Sequence, residues 1–319
     1  MDLLSAVVPG LALSDSNVSA ASVRRRTWLT RFLPEKLYEY LAKQTELTLI
    51  SISPMNPRVL EIPPSYTSVW PLDTQQGNSA VSVTGSYGYV TAVYKVISRD
   101  DAMPYALRRV ENVRAPAQLL QSTLASWRRV AHPGIVALRS AETHGGALFF
   151  AHDYFPDARN LKDCFLDAVR SGEPAVDEAT MWSFLCQIVG ALSAVHSSGL
   201  SFRGLQATHV LFIPGSRRVR LAGAGILDVL ESDSKKSVAE HQAADLAGLG
   251  SLMLRLATGG SAVGWDVSVA LQSLQHYSGY SVELQGFLHR ISLGGVPLSA
   301  MVTVRARCVI LYSIMHPVD

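Results

Sequence analysis

This chain of 319 residues has few cysteines, almost no excess of positive over negative charge and few uninterrupted apolar stretches. The three cysteines stand singly, which argues against a disulfide framework and a thiolate zinc site. The nine histidines include no H-E-x-x-H pair, so we predict no metal site. A formal charge of +2 gives no global field favouring RNA or anionic lipid. The apolar stretch from Val296 to Met315 is interrupted by Arg305 and Arg307, so we expect no contact with a membrane.

The order of secondary-structure patterns favours an α+β, protein-kinase-like bilobal fold. Hydrophobic residues make up 48% of the chain, enough to build the cores of a β-rich N-lobe and an α-helical C-lobe. Strand patterns dominate up to Asp153, around one helix predicted at 115–130, and helical patterns dominate from Asp177 onward. We expect five segments: a mobile segment at 1–30, a short helix and extended linker at 31–65, the N-lobe at 66–152, the C-lobe at 153–290 and a divergent tail at 291–319. Within the second segment we predict the helix at 32–43 and an extended, mostly apolar stretch at 47–52.

A helix, a loop and a hairpin follow one another in the second half of the chain. Apolar residues between Met181 and Val195 fall on one helical stripe, which Asp177 opens and Ser198-Gly199 closes. After a loop, two short strands are predicted at 210–213 and 219–222. In a protein kinase this loop carries the catalytic Asp and a metal-binding Asn, and the hairpin ends at the Asp that holds Mg²⁺.

The residues at those chemical positions cannot perform phosphoryl transfer. Gly204 stands at the catalytic Asp, His209 at the Asn and Gly223 at the metal-binding Asp. Glycine can neither accept a proton nor hold a cation, and histidine is a poor ligand for Mg²⁺. An active kinase with a displaced loop is the alternative, but the chain contains no His-Arg-Asp and no Asp-Phe-Gly. We therefore predict a pseudokinase with no catalytic residues.

The nucleotide-binding end of a kinase also has counterparts. Gly85 and Gly88 match a glycine-rich loop whose first glycine is replaced, and Arg108 stands where a kinase has its phosphate-pairing Lys. The stretch 121–124, where the partner Glu is expected, contains no acid. The alternatives are an ordinary hairpin for the glycines and an exposed edge-strand cation for Arg108. Further along, Asp245 occupies a helical position at which kinases use an Asp to hold the catalytic-loop backbone.

Four sequence segments resemble one family. Residues 105–109, 182–188 and 221–229, together with the Phe32–Leu37 and Leu47–Leu49 segment before them, are similar to the pseudokinase of the regulatory subunit of the poly(A)-specific nuclease (PAN) deadenylation complex. Ordinary kinases have no counterpart of the segment before residue 50. The resemblance covers roughly residues 32 to 290.

This resemblance implies an adaptor without nuclease activity. It would bind ATP without hydrolysing it, recruit the catalytic poly(A) exonuclease subunit, and reach mRNA poly(A) indirectly, with poly(A)-binding protein. The implied location is the cytoplasm, including P-bodies. The family forms homodimers through a coiled coil that a C-terminal knob domain follows. Because residues 291–319 show no heptad, we expect the coiled coil and the knob to be missing, which puts the homodimer in doubt. A diverged protein, a shortened product and an incomplete gene model are the alternatives for their absence.

The resemblance also implies a set of nucleotide-binding residues. Besides Arg108, these are a segment after the lobe crossing and two loop positions. The segment comprises Asp153, Tyr154, Phe155, Pro156, Asp157, Ala158, Arg159 and Asn160, and the loop positions are Thr208 and His209. The family has Lys where His209 stands, so we expect ATP to bind weakly. An unrelated pseudokinase scaffold or allosteric regulator of another signalling complex is the alternative function, and a residual phosphotransferase is a third.

Overall fold

The computed structural model describes residues 33–73, 87–167, 175–260, 266–276, 279–294 and 296–301. Backbone contacts divide the chain into residues 1–47 and residues 48–319. The N-terminal segment 1–30 and most of the tail 291–319 lie outside the described residues, as does Gly85. The helices and strands that can hold a site belong to the second unit.

The first helix is longer than the sequence predicts. Helix α1 (Glu35–Leu49) continues through residues 47–49, for which an extended strand-like stretch was the expectation. The fully buried Lys95 donates from its ammonium group to the carbonyl of Thr48 at 2.8 Å, at the helix end where carbonyls lack intrahelical partners. Because this donor is supplied by tertiary structure, the local apolar pattern did not indicate it. A short helix α2 (Pro57–Leu60) then lies in the predicted linker.

Five antiparallel strands form the sheet of the N-lobe. Their bounds are β1 (Tyr66–Pro71), β2 (Thr91–Ser98), β3 (Pro104–Val110), β4 (Leu138–His144) and β5 (Ala147–Asp153). They are arranged in the order β1-β2-β3-β5-β4. Helix α3 (Ala117–Trp127) connects β3 to β4, which confirms the helix predicted at 115–130.

Both faces of this sheet are covered. Leu148 and Phe150 of β5 join the large core that continues into the C-lobe, while the alternating Phe149 packs on the opposite face. Ile62, with the partly buried Ile52 and Val59, belongs to the cluster on that second face. The segment between α1 and β1 therefore shields a surface of the sheet, which explains why β5 is apolar at nearly every position.

The C-lobe is helical around a small three-stranded sheet. Its strands are β6 (Arg159–Asn160), β7 (Val210–Ile213) and β8 (Arg218–Leu221), and its helices are α4 (Glu178–Ser197), α5 (Ile226–Leu230), α6 (Val238–Thr258), α7 (Val267–His276) and α8 (Val282–Ser292). Helix α4 begins where predicted, because the side chain of Asp177 accepts a hydrogen bond from the Thr180 amide. It is long and apolar enough to match a membrane span, but half of it is buried and its buried residues belong to the core.

A buried carboxylate holds the loop that follows α4. Asp245 of α6 is 1% exposed and accepts hydrogen bonds from the backbone amides of Phe202 and Arg203, each at 2.7 Å. The Nε2 atom of His196 lies 2.9 Å from the same carboxylate. The sequence assigned Asp245 to holding this backbone, and these contacts confirm that role.

Replacing Asp245 by Asn should destabilise the fold. An amide has only one acceptor oxygen, so one of the two loop amides would face an NH₂ group and stay buried without a partner. We expect the free energy of unfolding to fall by about 2–4 kcal/mol, seen as a lower midpoint in urea denaturation. The exposed Asp233→Asn variant serves as the matched control. Equal midpoints for the two variants would contradict the anchoring role.

Candidate functional site

The predicted degenerate positions lie together around the loop after α4. Gly204 and Gly223 both have left-handed backbone conformations, with φ of +71° and +92°. The carbonyl of Gly204 lies 2.6 Å from Nδ1 of His209. Since a carbonyl can only accept, Nδ1 carries the proton in this contact.

His209 is held as a neutral imidazole. His209 is 2% exposed. Burial, reinforced by the charge of Arg108, lowers the pKa of its imidazole to about 4. The hydrogen bond to Gly204 acts in the opposite direction but does not offset desolvation. A neutral, buried ring with Nδ1 committed to a carbonyl offers little to a hard cation.

Tyr87 fills the space between these positions, and the sequence analysis did not select it as a site residue. Its ring stacks on the His209 ring, with the centroids 4.4 Å apart and the planes at 14°. The guanidinium carbon of Arg108 lies 5.2 Å from the Tyr87 centroid. Tyr87 is 8% exposed, and burial raises the pKa of its hydroxyl. The only signal for it in the sequence is an aromatic residue in the Gly-Ser-Tyr-Gly turn.

Arg108 points to this centre from the sheet. It lies in the middle of β3, where it pairs with Val93 of β2 and Phe150 of β5, so it is not the edge-strand cation of the alternative interpretation. Its Nη1 is 3.5 Å from the Thr91 hydroxyl. Helix α3 contains no acid that could pair with Arg108, as expected.

A different set of contacts links α3 to the loop. The indole Nε1 of Trp127, at the end of α3, donates to Asp228 of α5 at 2.6 Å. Arg203, whose φ is +61°, donates to the Leu227 carbonyl at 3.0 Å and to Glu231 at 2.6 Å, and its Nη1 lies 3.4 Å from Asp228. These bonds tie α3, the loop and α5 together without the lysine–glutamate pair of a kinase.

The centre of this junction is tightly packed. A Cβ atom built on Gly225 would lie 2.9 Å from Leu138 and 3.1 Å from both Thr123 and Trp127. Next to it, the buried His152 of β5 is 3.0 Å from the Ala224 carbonyl through Nε2. Burial lowers the pKa of His152 to about 4. No local sequence pattern indicates these contacts, because residues distant in the chain make them.

Three residues of the predicted nucleotide segment 153–160 make side-chain contacts within the protein. Asp153 accepts two hydrogen bonds from Arg139, at 2.6 and 2.9 Å. The Arg220 guanidinium lies 4.3 Å from the centroid of Phe155. Asn160 exchanges hydrogen bonds with Asp163, at 2.8 and 2.9 Å.

The remaining predicted residues of this segment differ in exposure. Arg159 is exposed, whereas Tyr154, Pro156, Asp157 and Ala158 are half-buried. Burial, followed by the charge of Asp157, raises the pKa of the Tyr154 hydroxyl to about 12.

Thr208 has the one unsatisfied group of the predicted set within the described residues. Its hydroxyl oxygen is buried and makes no hydrogen bond there. Gly88 has φ of +80°, with open space where a Cβ atom would lie. Across the described ranges, no group of three or more His, Cys, Asp or Glu residues is arranged to hold a metal ion.

Two curated proteins similar to this chain carry the same name. A Dictyostelium discoideum protein named PAN2-PAN3 deadenylation complex subunit pan3 is 35% identical over 273 residues, which cover 83% of this chain and 36% of that protein. The PAN3 subunit of Chaetomium globosum is 33% identical over 254 residues, or 76% of this chain and 38% of that protein. The chain thus spans little more than a third of the length of these curated relatives. No family model matches it.

Solved structures give the same result. The Neurospora crassa PAN3 pseudokinase is 26% identical with a TM-score of 0.72, over 88% of this chain and 73% of that one. A complex of Neurospora crassa PAN2 (WD40-CS1) with PAN3 (pseudokinase and C-term) gives 26% and 0.71, over 89% and 72%. The Mycobacterium tuberculosis PknI kinase domain, at 20% identity and a TM-score of 0.53, shares the fold alone. The predicted kinase-like bilobal fold and family resemblance are confirmed.

The two buried histidines should make stability depend on pH. Both His152 and His209 have a pKa of about 4 in the folded chain, against about 6.5 when unfolded. The unfolded chain therefore binds more protons between these values, and stability falls as pH drops from 6.5 towards 4. Each histidine contributes up to about 3 kcal/mol to this loss.

Urea midpoints measured across this pH range test the expectation. His209→Asn should remove about half of the histidine-dependent slope, and His289→Asn, at an exposed position on α8, should leave the slope unchanged. An unchanged slope in His209→Asn would show that His209 is not held neutral by burial.

Proposed function

We infer the function from family membership, because the kinase-like body of this chain belongs to the PAN3 pseudokinase family. We propose that the chain is a catalytically inactive regulatory subunit of a deadenylation complex. In this role it recruits a catalytic poly(A) exonuclease to the poly(A) tails of cytoplasmic mRNA, including in P-bodies, with poly(A)-binding protein. The observation that carries the proposal is the match to PAN3 relatives over 83% of the chain, together with a structure of PAN3 solved in complex with PAN2.

Catalytic inactivity is supported by the loop geometry. Gly204 and Gly223 bracket the centre where a kinase places its proton acceptor and its metal-binding Asp. The backbone there is intact, since Asp245 still holds the amides of Phe202 and Arg203. The scaffold is thus built as in a kinase, with no carboxylate at either glycine. Loss of acid–base help alone lowers a rate by about 10²-fold to 10⁴-fold.

We also propose that ATP binds as a ligand that the protein does not hydrolyse. Arg108 places a fixed positive charge on the inner side of the sheet, where a kinase has its phosphate-pairing Lys. The buried Thr208 hydroxyl makes no hydrogen bond within the described residues, so a ligand could satisfy it. Gly223 brings no oxygen ligand for Mg²⁺, so binding should not require a divalent cation.

Nuclease recruitment is tested by capture of activity. The full chain, tagged and used as bait in a eukaryotic extract, should retain an activity that shortens a 5′-labelled poly(A) oligonucleotide from its 3′ end. The empty tag is the control for the resin, and an oligonucleotide ending in non-adenosine residues is the control for substrate. If the bait retains no more shortening activity than the empty tag, recruitment is refuted.

Nucleotide binding is tested by thermal shift. ATP at 10 mM should raise the melting temperature by a few degrees if its Kd is about 100 μM, and the rise should be the same with Mg²⁺ as with EDTA. Arg108→Ala and Thr208→Val should reduce it, whereas Arg218→Ala, at an exposed position in β8, should not. The absence of any shift would refute ATP binding. Transfer of labelled phosphate that is lost in Arg108→Ala would refute inactivity.

A further inference from the structure

The ring of Tyr87 lies where three functional positions of a kinase converge. It stacks on His209 at 4.4 Å and lies 5.2 Å from the Arg108 guanidinium carbon. Its hydroxyl oxygen is so close to Gly223 that a Cβ atom at residue 223 would overlap it. In a kinase, the corresponding Lys, Asn and Asp surround the phosphates and their metal ions. The space they surround is here occupied by an aromatic side chain.

We propose that Tyr87 is an intramolecular occupant of the phosphate half of the nucleotide pocket, and that nucleotide phosphates enter only when its ring leaves. This inference rests on the ATP binding of the proposed function, which it makes conditional on a local rearrangement. The ring contacts Arg108 and His209 in this structure. Nucleotide phosphates can contact these two side chains only after the ring has left.

The close contact between the Tyr87 hydroxyl and Gly223 supports the interior position of the ring. With φ of +92°, residue 223 is in a conformation that favours glycine, and the missing side chain leaves room for the tyrosine hydroxyl. The next ring atom, Cζ, would be 3.2 Å from a Cβ atom at residue 223. The tyrosine ring can therefore occupy this position only because residue 223 has no side chain.

Displacing the ring lowers the apparent affinity for phosphates. The stacking contact with His209 and the contact with Arg108 each contribute a factor of about 2 to 10 to the closed arrangement. Burial of the ring adds to this preference. A ligand without phosphates does not compete with the ring for Arg108 or His209. Tyr87 should thus select against nucleotides relative to nucleosides.

Binding of ATP and of adenosine to the full chain, measured by titration calorimetry, tests this selection. Tyr87→Ala should tighten ATP binding by about 10-fold and change adenosine binding by less than 2-fold. Tyr89→Ala, which removes an exposed tyrosine two residues further on, is the matched control and should change neither. If the unmodified chain binds ATP and Tyr87→Ala binds it no more tightly, the occupant role is overturned while ATP binding stands.

A second measurement needs no nucleotide. Gly223→Ala should lower the urea midpoint strongly when Tyr87 is present, and the drop should be at least halved in Tyr87→Phe, which lacks only the clashing hydroxyl. Backbone strain at residue 223 is common to both backgrounds and cancels. If Gly223→Ala folds only together with Tyr87→Phe, the coupling is shown in its strongest form.

The two measurements separate the two proposals. Coupled midpoints with no ATP binding in any variant would support the position of the ring but refute ATP binding, and with it the selection against phosphates. Equal midpoint drops in the two backgrounds would overturn the proposed occupant, whatever the affinity for ATP.

Discussion

The carboxylate of Asp245 is the constraint on which the geometry of the site depends. By accepting the amides of Phe202 and Arg203 it fixes the backbone at the start of the loop after α4. This directs the Arg203 side chain to α5 and sets the Gly204 carbonyl against His209. A buried carboxylate with three polar contacts is costly to rearrange, so it holds this loop conformation although glycine stands at residues 204 and 223.

Helix α3 shows how a pseudokinase can be ordered by other means. A kinase positions this helix through an ion pair with the sheet, which also allows the helix to switch. Here the indole of Trp127 bonds to Asp228, and Gly225 packs closely against Thr123 and Trp127. Helix α3 is therefore attached to α5 and to Gly225, and not to Arg108. Arg108 instead lies near the Thr91 hydroxyl and over the ring of Tyr87.

The sequence predicted the elements well where a local pattern carries the structure. The apolar stripe and the Asp177 cap located α4, and the turn after residue 213 located β7 and β8. It was wrong about residues 47–49, because the end of α1 depends on Lys95, far away in the chain. The sequence predicted the position of Arg108 in the site because this residue stands where a kinase has its phosphate-pairing Lys. Tyr87 and His152 could not be selected, since no local pattern tells which way one aromatic or imidazole ring points.

The bare backbone at Gly223 also limits how the site could be rebuilt. Replacing Gly223 by a cation-binding acid would bring its Cβ atom into collision with the Tyr87 hydroxyl. The acid would in addition have to tolerate a left-handed conformation that L-residues rarely adopt. An acid at residue 223 thus requires a second replacement at Tyr87, far away in the chain. The tyrosine ring thus sterically protects residue 223 from acquiring any side chain.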